Sequence, residues 1–125
     1  MNTKIGALVI SALMLAVAIP VASAGPYEEA QEAYQAEVQT FNAAYNAWLG
    51  SRSDFIQARL QWGQHHSEGN WTNAVEQARG ALIKADEAMI RRLEVQRIRV
   101  EATRGLSDED KTAIYAEIDA DIRWL

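Results

Sequence analysis

Six aromatic residues, Tyr27, Tyr34, Phe41, Trp48, Phe55 and Trp62, stand at every seventh position of this chain. A seven-residue repeat returns side chains to one stripe of a slightly supercoiled helix. Six rings in phase therefore predict one continuous helix from about Pro26 to His66. Pro26 suits the first turn, where its missing N–H costs nothing. The residues that follow are rich in Ala, Glu, Gln and Arg, which favour helix, and no run of alternating polarity predicts a strand. The opposing signal is Leu49-Gly50-Ser51-Arg52-Ser53-Asp54, which reads as a helix stop followed by a new cap. An inserted loop would destroy the phase, yet Phe55 and Trp62 keep step. The expectation is an unbroken helix weakened at Gly50 by about 1 kcal/mol relative to Ala. The rival is a kink there, with shorter helices closing on themselves as a monomeric bundle.

A second stripe is made of small residues. Ala74, Ala78, Ala81, Ala85 and Ala88 follow steps of four and three, and Val95 and Ala102 extend the series. Folding the chain back about Glu68 sets large against small at each layer, with Trp62 at Ala74, Phe55 at Ala81 and Trp48 at Ala88. Such interdigitation is how helical cores reach native density. Charge supports the same antiparallel sense. Glu28, Glu29, Glu32 and Glu37 would lie beside the arginine-rich stretch Arg91–Arg104, with Glu37 near Arg99 and Glu32 near Arg104. Exposed pairs contribute only about 0–1 kcal/mol each, so their role is to oppose a parallel alignment. The fold class expected is all-α: a long antiparallel helical hairpin, coiled-coil-like, with a short third C-terminal helix.

That third segment starts after Gly105, a residue free to close a helix in the left-handed region. Ser107 is its expected N-cap, and Asp108, Glu109 and Asp110 fill the first turn, where negative charge suits the dipole. Ile114, Ile118, Ile122 and Leu125 mark one apolar stripe, with Glu117, Asp119 and Asp121 outside it. At 1.5 Å per residue the long helices span about 50–60 Å and this one under about 30 Å. It can cover only the half of the hairpin nearest the termini. The half near the connection still carries Trp48, Phe55, Ile56, Leu60, Trp62, Trp71, Leu82 and Ile83. Apolar patches of that extent mark interaction surfaces. Trp48, Phe55, Trp62, Trp71, Leu82 and Ile83 are therefore the expected protein-interaction residues. The expected partner is a second copy, giving a dimer, or another envelope or extracellular protein.

The first residues predict the compartment. Met1-Asn2-Thr3-Lys4 is a short positive start, Ile5 to Ile19 is an apolar run, and Ala22-Ser23-Ala24 is a pattern that signal peptidase accepts before Gly25. A signal peptide over 1–24 and a mature domain over 25–125 follow, secreted or held in the periplasm. An uncleaved anchor would need about 20 apolar residues and is the lesser reading. Losing Lys4 reduces the 12 basic residues to 11 against 17 acidic ones, a net charge of −6. That balance argues against a nucleic-acid binder. With no cysteine in the chain, disulfides contribute nothing to its stability.

Both histidines lie in Gln61-Trp62-Gly63-Gln64-His65-His66-Ser67-Glu68-Gly69-Asn70-Trp71. The plain reading is a helix end, a connection over Ser67-Glu68-Gly69, and Asn70 as the cap of the second helix. The sharper reading is a metal or small-ligand site on His65, His66 and Glu68. Zinc or copper wants three or four such ligands, and the chain offers no third histidine and no cysteine. No cofactor is expected. Asn70-Trp71-Thr72 also fits the glycan acceptor pattern, with Asn70 as the acceptor. Nucleophilic catalysis finds no cysteine and no G-x-S-x-G elbow, so the chain does not read as an enzyme.

Leu106-Ser107-Asp108-Glu109-Asp110-Lys111 resembles in part the L-T-x-x-Q signature of periplasmic stress chaperones, which form helical hairpins around unfolded clients. Ser stands for Thr and Asp for Gln, and a single copy is present. The resemblance implies a chaperone- or adaptor-like role. The residues themselves predict an exported, non-enzymatic structural or protein-interaction module. The alternative is an exported ligand binder using the histidine turn.

Overall fold

A computed structural model describes residues 26–125 of the chain. The expected signal peptide over 1–24 and its expected cleavage point lie outside the described residues. Three helices follow in order: α1 (Pro26–Gln64), α2 (Glu68–Ala102) and α3 (Asp108–Trp124). No strand occurs among the described residues.

α1 runs through Gly50 without an intervening loop, so the helix is not divided there into two shorter ones. Tyr34, Phe41, Trp48, Phe55 and Trp62 are each half-buried, and the residues immediately before and after each ring are exposed. One stripe therefore faces the partner helix, as a seven-residue period requires. Three positions after its rings, α1 presents Ala44 and Ser51 half-buried and Ala58 buried, a small-residue row between the rings that lets the backbones approach. α2 answers with Ala74, Ala88 and Ala102 buried and Ala81 and Val95 half-buried. α1 and α2 pack together as a helical hairpin. The core is shallow. Its buried hydrophobic residues are Ala58, Ala74, Ala88, Leu93, Ala102 and Ile118, and no described side chain falls below 2 % exposure. Stability must come from many half-covered rings, because a buried alanine methyl contributes only about 0.8 kcal/mol.

The connection falls two residues earlier than expected, at His65-His66-Ser67. Ser67, not Asn70, caps α2: its Oγ accepts from the Asn70 backbone N–H at 3.2 Å. The Asn70 side chain turns back instead, donating from Nδ2 to the His65 carbonyl at 2.9 Å. One serine–asparagine pair thus satisfies an orphan donor of α2 and an orphan acceptor of α1. Because the reversal centres nearer His66 than Glu68, the register slips. Trp62 stacks against Trp71, with ring centroids 5.2 Å apart, a contact that the expected layering did not include. At the far end Arg91, not Arg99, reaches Glu37, at 3.7 Å, about two helical turns closer to the connection than charge alone suggested.

α2 ends at Thr103, whose extended backbone returns its N–H to the Val100 carbonyl. Gly105 follows in the left-handed region at φ 88°, one step further from the helix than the expected closing position. α3 begins with a full capping box. Ser107 Oγ accepts from the Asp110 N–H, and the Asp110 carboxylate accepts from the Ser107 N–H. The residues that resemble a chaperone signature are thus occupied in starting a helix.

α3 lies back along the outer side of α2, with little contact to α1. Asp119 accepts from Arg97, and the Arg97 guanidinium sits 5.4 Å from the centre of the Tyr115 ring. Ile118 is buried. Burial, then the neighbouring Glu101 carboxylate, hold the Tyr115 phenol above its ordinary 10.0, with Arg97 opposing. A raised folded value means that the native state keeps this proton more tightly than the unfolded chain. Its contribution is present below pH 10 and is lost as pH rises through the folded value. An alkaline titration should show tyrosinate absorbance and loss of α3 protection rising together. Loss of protection before Tyr115 ionises would contradict that link.

Candidate interaction surface

The surface is built by a second pair of ladders, each one residue beyond the packed seam. On α1, Leu49 and Ile56 follow Trp48 and Phe55. On α2, Val75, Leu82 and Met89 follow Ala74, Ala81 and Ala88. One step along a helix turns a side chain by about 100°, out of the seam and onto its flank. All five residues are exposed. Leu60 and Tyr45 extend the α1 ladder and Trp71 and Ile83 the α2 ladder. The most open are Leu82 at 67 %, Leu60 at 55 %, Trp71 at 53 % and Ile83 at 51 %.

Antiparallel packing places the two ladders on one side of the hairpin, because one step beyond the seam turns toward the same flank on each helix. The Trp62 ring meets His66 of its own helix edge-on at 4.8 Å and Trp71 of α2 at 5.2 Å. Tyr45 bridges Phe41 at 5.9 Å and Trp48 at 5.4 Å. The rings of α1 therefore lean onto the flank that also carries Trp71. The opposite flank is polar: Thr40, Asp54, Gln57 and Gln61 on α1, and Glu87 on α2, are exposed there. Deeper in that side Glu37, Glu87 and Glu94 surround Arg91 and Ile90 in an open hollow. Glu37 Oε1 is buried there without a hydrogen bond, and Arg91 is its charge partner.

The six residues expected to carry interaction divide in two. Trp71, Leu82 and Ile83 are exposed on the flank, whereas Trp48, Phe55 and Trp62 are half-buried in the seam and serve it chiefly as a floor. Tyr45, Leu49, Val75 and Met89 escaped the sequence reading. Their signal was present, since Leu49–Ile56 and Val75–Leu82–Met89 repeat at the same seven-residue period.

The histidine turn offers less. His66 packs on Trp62. The His65 carbonyl accepts from both the Ser67 N–H and the Asn70 side chain. Glu68 opens α2 at an exposed position. Among the described residues no group of three or more His, Cys, Asp or Glu side chains is placed to hold a metal ion. The Asn70 amide nitrogen, the atom a glycan would join, is held across the connection. Among the described residues no helix is long and apolar enough to cross a membrane.

No protein-family model matches this chain, no curated protein matches it, and no solved structure matches it.

Proposed function

We propose that the chain is an exported, non-enzymatic helical module that binds another protein chain through the apolar flank near the connection. The observation that carries this is the open double ladder, Leu49, Ile56 and Leu60 beside Val75, Leu82 and Met89. A shallow core makes the reading stronger. A domain whose described core holds only Leu93 and Ile118 as large buried side chains gains from any partner that covers its apolar surface, because burial contributes about 25 cal/mol per Å². The coiled-coil-like seam of rings against alanines provides a stiff support for such a surface. Export is supported by the Met1–Ala24 pattern, and a non-enzymatic role by acidic side chains spread over solvated helix faces.

Site-specific photo-crosslinking in cells tests this reading. A photoreactive residue at Leu82 is expected to give discrete adducts, and one at Gln57 on the polar flank to give few or none. Equal labelling from both positions, or none from either, would remove the interaction role.

A further inference from the structure

We infer that the open flank receives an amphipathic helix whose aliphatic stripe is bordered by carboxylates, seated in line with α3. The inference rests on the interaction reading above and names the occupant.

The flank is continuous with an interface the chain already has. α3 lies on the outer side of α2, where Met89, Leu93 and Gln96 form a hollow with Trp124 and Leu125. It is held there by Asp119 on Arg97. What α2 accepts from α3 is therefore an isoleucine stripe, Ile114, Ile118 and Ile122, accompanied by acidic groups. The accepting face does not stop where α3 stops. From Met89 it continues toward the connection through Leu82 and Val75, joined across the hairpin by Leu49 and Ile56, all exposed.

The charge of the flank points the same way. Arg52, Arg59 and Arg79 stand among these apolar residues and are exposed. Of the nearby carboxylates, Glu68 and Asp86 lie toward the two ends of the patch and Glu76 stands within it, three residues before Arg79, whereas no carboxylate stands three or four residues from Arg52 or Arg59. An occupant with carboxylates beside its apolar stripe meets these arginines, as Asp119 meets Arg97. Two identical flanks placed face to face would set arginine against arginine, and like-charge juxtaposition works against a wrong partner. The flank therefore suits an acidic helix of another protein better than its own copy.

A labelled peptide with the sequence of residues 107–125 is a ready probe, since it has the required stripe and carboxylates. Anisotropy titration with the purified protein should show saturable binding that weakens as salt is raised. The triple change Arg52→Glu, Arg59→Glu and Arg79→Glu should weaken it at least about tenfold, since tenfold is only 1.4 kcal/mol. A peptide with Glu117, Asp119 and Asp121 replaced by Lys should recover binding to that variant. Such reciprocal rescue also shows that the variant folds. Arg97→Ala should leave peptide binding unchanged.

The inference is overturned by an absence of binding, or by loss with Arg97→Ala alone, which would mean that the peptide merely exchanges into the seat of α3. It is equally overturned by a doubled mass of the protein that Leu82→Ser abolishes, assigning the flank to a second copy. Preferential binding of phosphatidylglycerol vesicles over the peptide, lost on the same change, would assign it to a lipid surface. Peptide failure with Leu82 adducts intact leaves the interaction role standing, whereas loss of the adducts removes both.

Discussion

Gly50→Pro should destabilise the protein by about 3 kcal/mol or more, while Gly50→Ala stabilises it by up to about 1 kcal/mol. The opposite signs come from one fact: residue 50 is in the middle of a continuous helix. Proline there removes the hydrogen bond to the carbonyl four residues back and clashes with that carbonyl. Alanine does neither. A Cβ built at Gly50 meets nothing within 4 Å, so the methyl group enters open space and the gain is the backbone freedom removed from the unfolded chain. Had Leu49–Asp54 been a loop, both changes would be nearly neutral. Urea unfolding followed by far-ultraviolet circular dichroism measures the pair. Because the break falls beside Trp48 and Phe55, the proline variant should also lose cooperativity along the seam.

The second large effect is at Leu93. With Ile118 it is one of the two large side chains in the buried core, at 7 % and 5 % exposure, the others being alanines. Leu93→Ala should cost about 2–5 kcal/mol, the transfer of the lost atoms plus the cavity left behind. The hollow that Leu93 shares with Met89, Gln96, Trp124 and Leu125 would lose its floor. α3 should then exchange its amide hydrogens with solvent far faster than α1 or α2 does. The matched control is Leu82→Ala, the same chemical change at a side chain 67 % exposed, expected within about 0.5 kcal/mol of the parent. Equal costs at the two positions would mean that Leu82 is covered in the protein as isolated, and that the flank is already occupied.

These two positions also mark how far the sequence could be read. The ring stripe was legible because a period of seven survives any local doubt, and it outweighed the stop-like residues around Gly50. Propensity costs of about 1 kcal/mol are small beside the packing of five half-buried rings. The end of α3 nearest the loop was legible for a similar reason, since Ser107 and Asp110 form a local cap that needs no tertiary context.

The register was not legible. Periodicity fixes which face is buried, but it cannot tell one turn from the next along the seam. The choice fell to the connection, where Ser67 and Asn70 compete for the same role. Serine took the cap, and the asparagine side chain found the His65 carbonyl. That local hydrogen-bond exchange moved Trp62 onto Trp71 and Glu37 onto Arg91. The surface was legible in part. Trp71, Leu82 and Ile83 were recognised as apolar residues in excess of what one facing helix hides. Leu49, Val75 and Met89 carry a weaker signal in the sequence, because they share their period with the larger rings and the alanines of the seam. Trp48, Phe55 and Trp62 were counted as surface although the seam half-covers them.

The common flank requires α1 to be one straight rod, since a bend would scatter the rings and turn the two ladders to different sides. The chain has no cysteine, so two introduced at the exposed positions Gln35 and Gln61 can carry spin labels uniquely. Pulsed electron-spin distance measurement between them should give one narrow population at about 40 Å, the span of continuous helix at 1.5 Å per residue. A broad distribution, or a population centred below about 30 Å, would contradict it.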